Sequence, residues 1–166
     1  MSTLALYSPE DVVILLGGIY PITGTHEGSF VAIAEPANKW ETTITSDGRV
    51  SRTHIKDPTH LVSVTLASTA DDNSIFSAWT SADGVLFGAM IPLFIKDNTG
   101  TTLFYAPMSW VEKVPEASFS TDVEPREWII RTAGATSSIG GNEGGGVISS
   151  ELASLGFISA DFAGLL

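Results

Sequence analysis

The residues able to do chemistry are few. The 166-residue chain has three histidines, no cysteine and 19 carboxylates. His26-Glu27 starts like a helical zinc-protease motif, but no histidine follows four residues on, and Gly24 and Gly28 on either side specify a turn. His54 and His60 flank Asp57-Pro58, so a metal pair there would need ligands from distant segments. Both read as structural or solvated histidines. No Gly-x-Ser-x-Gly elbow is present, and nothing supplies a third group to orient a Ser–His pair. A glycosidase-like carboxylate pair brought together from distant strands has no other sign of a sugar site beside it. The stretch "GGNEGGG" (140–146) lacks the lysine and the strand–loop–helix setting of a phosphate loop. Without cysteine there is neither a disulfide framework nor a thiolate zinc site. The expectation is a protein that is not an enzyme and carries no metal or cofactor.

One stretch is specific in another way. "TITSDGRVSRTHIKDPTHLVSVTL" (43–66) gathers Arg49, Arg52 and Lys56, three of the chain's eight basic residues, with His54 and His60, in a protein of formal charge −11. Three explanations compete: a nucleic-acid contact, a histidine site, and a charged loop made to meet an acidic surface on another copy. So acidic a chain is a poor gripper of phosphates, because that affinity comes from Lys and Arg neutralising phosphate charge. The alternating segments 39–46 and 50–56 flank Asp47-Gly48, which makes a hairpin. Along its second arm Val50, Arg52, His54 and Lys56 share one face, with Ser51 and Thr53 on the other. Such an arm does not cover its own core and should project from the domain. A solvated hairpin with edge-blunting charges stands against a docking hairpin whose cations meet carboxylates on an identical subunit.

The elements around this hairpin are short, β-branched and punctuated by turn residues, which predicts a mainly β domain. "DVVILL" (11–16) reads as a strand buried on both faces and ending at Gly17-Gly18. "SFVAIAE" (29–35) is a second strand, closed by Pro36. "KWETTITS" (39–46) alternates, with Trp40, Thr42 and Ile44 on one face. "LVSVTLAST" (61–69) turns Val62, Val64 and Leu66 inward. One helix follows, with Asp71 or Asp72 as N-cap, Ile75, Phe76 and Trp79 on one apolar stripe, and Gly84 just past its end. "MIPLFIK" (90–96) and "TTLFYA" (101–106) flank "DNTG", whose Asn and Gly supply left-handed turn conformations. Pro107 should end or bulge the second of these strands. "EWIIRTA" (127–133) is the last strand, with Trp128 and Ile130 on one face and Arg131 on the other.

The composition then changes. Residues 136–146 read as a Gly/Ser-rich linker, and 147–166 as an apolar extension containing Leu155, Phe157, Ile158, Phe162 and Leu165. So apolar a segment is expected to dock on its own domain or on a neighbouring subunit. The start has no basic n-region or cleavage pattern, and Glu10-Asp11 interrupts its apolar residues, so it does not read as a signal peptide. The run Val12–Leu16 is too short to span a membrane. At 43% hydrophobic and only 16% charged residues, the surface is apolar enough to suit a protein that buries part of it against neighbours.

In this order, "DVVILLGGIYPITG", "EGSFVAI", "SDGRVSRTHIKDPTHLVSVTL" leading into an Asp-Asn-Ser helix, "PLFIKDNTGTTLFYAPMSWVEK" and "EPREWII" resemble the tail tube proteins of contractile-tailed bacteriophages, relatives of the type VI secretion tube protein. The resemblance spans roughly residues 6–135. It implies a β-sandwich or barrel flanked by one α-helix, here over residues 1–135, with 136–166 as an addition to the usual core. It implies hexameric rings stacked head-to-tail into a tube inside a contractile sheath, through whose lumen DNA passes without specific binding during ejection. The implied partners are other copies, the sheath, baseplate, tape measure and tail terminator proteins, with no membrane. The implied location is the virion tail, assembled in the host cytoplasm. The hairpin of Asp47, Gly48, Arg49, Arg52, His54 and Lys56 would then reach an adjacent ring, and a negatively charged lumen would keep DNA from sticking. The competing reading from residues alone is a small monomeric β-barrel that binds an apolar ligand.

Overall fold

The alternating apolar residues of the strand segments set the layout of the sheet. A computed structural model of the chain describes residues 7–142. After a single 3-10 turn at Pro9–Asp11, the chain forms β1 (Val12–Leu16), β2 (Tyr20–Pro21), β3 (Val31–Ala34), β4 (Trp40–Ile44), β5 (Val50–His54) and β6 (Thr59–Ala67). Helix α1 (Asp72–Leu86) interrupts them, and β7 (Ile91–Asp97), β8 (Leu103–Lys113), β9 (Pro125–Ala133) and β10 (Thr136–Ser138) complete the order. Among the described residues, eight strands make one antiparallel sheet in the order β2–β1–β7–β8–β9–β6–β3, with β10 alongside β8, while β4 and β5 pair only with each other.

The period-two pattern decides which side of the sheet is the core. Val62, Val64 and Leu66 of β6 and Trp128 and Ile130 of β9 are buried, as are Leu93 and Ile95 of β7 and Phe104 and Ala106 of β8. Strands β6 and β9 run in register from Thr59↔Ala133 to Ala67↔Pro125. The two ends of the sheet are joined by the chain between Tyr20 and His26. The Ile22 N–H donates to Ile14 C=O (2.9 Å), the His26 N–H to Thr65 C=O (3.0 Å), and the Ala67 N–H to Gly24 C=O (3.0 Å). This strap, bridged also at Thr25↔Leu66, turns an open sheet into a barrel-like shell, in keeping with the mainly β fold and single helix expected.

Helix α1 plugs the shell with Phe76 and Trp79. Phe76 stacks on Trp128 with centroids 5.2 Å apart. Asn73 secures the helix start: its Oδ1 accepts from Trp128 Nε1 (3.0 Å), and its Nδ2 donates to the Ala67 (2.8 Å) and Ala70 (3.0 Å) carbonyls. A buried carboxamide with these contacts is largely satisfied, so its burial costs little.

The structure corrects several local expectations. Neither Asp71 nor Asp72 caps the helix through its side chain: Asp71 sits at the N-cap without such a bond, and the Asp72 carboxylate turns to the strap instead. Ile75 is exposed rather than part of the buried stripe. The helix continues through Gly84 to Leu86 and ends at Phe87, whose φ of 49° is left-handed. In the β7–β8 turn neither Asn98 nor Gly100 has positive φ; the Asp97 carboxylate builds the turn by accepting from the Thr99 N–H (2.9 Å) and hydroxyl (2.6 Å). Pro107 bulges β8 without ending it, with the register shift between Ile91↔Ser109 and Leu93↔Ala106. Residues read as the start of a linker form β10, pairing Thr136↔Tyr105 through Ser138↔Leu103, because Gly134 (φ 67°) kinks the chain after β9 and lets it run beside β8.

Candidate assembly surfaces

The β4–β5 hairpin projects as expected, and every residue of both strands is exposed. Its register, Trp40↔His54, Thr42↔Arg52 and Ile44↔Val50, puts these six side chains on one face. Arg52 lies over the Trp40 ring with its guanidinium carbon 4.2 Å from the centroid, and the Trp40 and His54 rings are 4.7 Å apart. The opposite face carries Glu41, Thr43, Ser51 and Thr53. The turn is fixed by Gly48 (φ 82°) and by the Thr45 hydroxyl donating to the Asp47 carboxylate, which draws the Asp47 pKa below its usual range.

The structure divides the basic residues of the hairpin. Arg49 pairs with Asp47 in its own turn at 3.2 Å, and Arg52 is spread over Trp40. Lys56 lies beyond β5 and is exposed. The hairpin face is therefore not purely cationic. It combines an Arg-capped tryptophan with Ile44 and Val50, which are 68% and 69% exposed. Sequence reading put Trp40 and Ile44 on one face of the first arm and the cations on one face of the second; only the register shows that these faces coincide.

A second apolar surface, which sequence reading missed, lies at the end of α1. Val85, Leu86, Phe87 and Met90 are exposed, Phe87 by 91%, and Phe87 and Met90 line a shallow cleft together with Trp110. The corner is held rigid because Trp79 Nε1 donates to Ala89 C=O (2.6 Å) and Asp83 accepts from the Ala89 N–H (3.0 Å). The signal was present in the run Val85-Leu86-Phe87, but periodicity alone does not separate the buried from the exposed flank of a helix.

The histidines occupy three different settings. His26 Nδ1 is 2.9 Å from Glu27 C=O, and the His54 ring lies tilted against Trp40. His60 is buried edge-on to Phe104 at 5.5 Å, with Nε2 3.6 Å from Glu35, which also pairs with Lys39 at 3.0 Å. Among the described residues no group of three or more His, Cys, Asp or Glu is placed to hold a metal, and no helix is long and apolar enough to cross a membrane. Leu155, Phe157, Ile158, Phe162 and Leu165, expected to dock, lie outside the described residues.

The described shell thus exposes a projecting hairpin and an apolar helix corner. In sequence, the chain is 25% identical over 144 residues to structural protein ORF10 of Pseudomonas phage KPP10, covering 82% of this chain and 83% of that protein. In structure, it is similar to the tube-terminating cap of the anti-feeding prophage (TM-score 0.57, 7% identity, covering 83% of this chain and 94% of that one). It is similar also to chains of an extracellular contractile injection system. One is from the sheath/tube terminator (TM-score 0.56, 9% identity, 83% and 100% covered), the other from the sheath–tube complex (0.55, 10%, 80% and 91%). No protein-family profile matches the chain. The chain thus shares the fold of these contractile injection system chains, and the relative it matches in sequence is a phage structural protein.

Proposed function

We propose that this protein builds the tail tube of a contractile phage, as hexameric rings stacked inside the sheath around a lumen that conducts DNA at ejection. One observation carries the reading: the β4–β5 hairpin stands free of the main sheet with Trp40, Ile44, Val50 and Arg52 all presented to solvent. A lone two-stranded hairpin is marginally stable in water and gains its stability by packing. A mixed apolar and cationic face on a subunit of charge −11 fits an acidic, partly apolar surface on the next copy. The apolar corner at Phe87 supplies a second patch for a neighbour or for the sheath. A lumen of the same net sign as DNA would let the duplex slide without adhering.

Negative-stain electron microscopy of the concentrated protein tests this directly. Hollow tubes or six-fold annuli support it. Particles that stay monomeric at every concentration, with or without a tube seed, refute it and favour the ligand-binding barrel. The likeness to tube-terminating caps motivates a second reading, a terminator, which would give single rings that never stack.

A further inference from the structure

The hairpin has a counterpart at the other end of the strands that carry it. Strand β6 follows the hairpin, starting at Thr59 and ending at Ala67. Its ladder with β9 runs from Thr59↔Ala133 to Ala67↔Pro125, about 27 Å at the rise of a strand. The hairpin leaves the shell from the Thr59 end. Residues 114–124, which join β8 to β9, meet the shell at the Ala67 end, where the Ser68 N–H donates to Glu124 C=O (3.0 Å). One chain thus carries the two features at opposite ends of one ladder.

The loop is complementary to the hairpin in both polarity and charge. Val114, Phe119 and Val123 are exposed, Phe119 by 88%. The same residues 114–124 hold Glu116, Asp122 and Glu124 and no basic residue. The return to β9 is held in shape, because the Ser120 hydroxyl accepts from the Asp122 N–H (3.2 Å) and donates to the Glu124 carboxylate. Glu116 and Asp122 form no ion pair among the described residues, and neither do Arg52 and Lys56. Apolar side chains beside free cations on the hairpin therefore face a surface of apolar side chains beside free carboxylates on the loop. Neither surface suits a copy of itself, since two hairpins would oppose cations and two loops would oppose carboxylates.

We infer that the 114–124 loop is the seat for the β4–β5 hairpin of a second copy of this chain. Such a contact is heterologous. With its two surfaces at opposite ends of the subunit, it propagates as an open head-to-tail stack rather than closing into a pair. Seating the hairpin takes Phe119, Trp40, Ile44 and Val50 out of water together, which supplies the apolar driving force. Arg52 and Lys56 meeting Glu116 and Asp122 set the orientation. The inference rests on the tube reading for the stacking of copies, and it names the partner surface that reading leaves open.

The test uses the full chain, which has no native cysteine. Thr42→Cys puts a thiol on the hairpin face and Ser118→Cys puts one beside Phe119, both at exposed positions. The two variants are mixed in equal amounts at high concentration and treated with a short thiol–thiol cross-linker. They should link to each other about tenfold more than either links to itself. Charge reversal gives an independent readout. R52E/K56E and E116K/D122K should each raise the concentration needed for association by about tenfold or more, and the variant carrying all four changes should recover most of that loss. Tubes that form without hairpin–loop links, or reversal variants that associate as the parent does, would overturn the inference and leave the tube reading standing. Hairpin–loop links in a protein that builds no tube would uphold the inference and remove the tube reading. No association at any concentration would overturn both.

Discussion

The strap that joins the two ends of the sheet hangs on one carboxylate, and its removal should be felt globally. Asp72 is 4% exposed. It accepts from the Tyr20 hydroxyl at 2.6 Å and from the Thr23 and Gly24 N–H groups at 3.1 and 2.8 Å. Hydrogen bonds to a charged group contribute about 1.5–3 kcal/mol each, and a donor left buried without a partner costs about 1–3 kcal/mol. The full sum does not apply, because Tyr20 and Thr23 are exposed and can turn to water when the carboxylate goes. Gly24 cannot: a Cβ there would lie 2.2 Å from that of Ala70, so its backbone is wedged against the helix start. Asp72→Ala should therefore lose about 2–4 kcal/mol, while Asp72→Asn, which keeps one acceptor oxygen and the volume, should lose about 1 kcal/mol. Urea unfolding tracked by tryptophan fluorescence reads both, since Trp79 is buried on that helix and Trp128 is buried against it. An Asp72→Ala protein within about 0.5 kcal/mol of the parent, inside the range of an ordinary surface substitution, would refute the assignment of Asp72 as the anchor of the strap.

Gly24→Ala should destabilise by about 2 kcal/mol or more through the clash with Ala70, measured in the same assay. Under the proposed tube assembly, replacing Arg49, Arg52 and Lys56 together with Ala should leave the fold intact and weaken ring stacking at low salt; a variant that polymerises as well as the parent would remove the hairpin from the proposed interface. Phe87→Gly relieves a left-handed φ of 49° and should raise monomer stability by about 1 kcal/mol while lowering assembly, and stability gained with assembly unchanged would show that the corner is not used. Two bonds from Arg131 hold the Glu112 pKa below its usual value. The pair's stabilisation is thus complete above the ordinary glutamate range near pH 4.5 and lost as pH falls through the lower folded value. Arg131→Ala should flatten the acid limb of the stability curve, read by thermal melts between about pH 5 and 3.

The strands were legible in the sequence because the side chains of a half-buried strand alternate with period two, and "LVSVTL", "MIPLFIK" and "EWIIRTA" all keep that period. The β4–β5 hairpin was legible for the opposite reason: Arg, His and Lys on one face of an arm exclude it from a core, and Asp-Gly sets its turn. A period, however, states that two faces differ without saying what either face meets. Only the tertiary structure put Trp40 and Ile44 on the cationic side of the hairpin, since cross-strand register is a property of the pair. Local rules misplaced Asp72 for a similar reason. A carboxylate at a helix start has a nearby donor in its own first turn, but here donors from 48 and 49 residues away outcompete it.

Residue type and short-range spacing were enough for the order of the main strands and the helix, the mainly β class, the projecting hairpin and the absence of thiol chemistry, but not for β2 or β10. Closure was settled at the tertiary level: which edges pair, and where the apolar run at the end of α1 comes to the surface. Those depend on contacts between residues far apart in the chain, such as Gly24 with Ala67 and Asn142 with Asp97. No local period encodes them, because their free energy arises only once the whole shell has curled round its core.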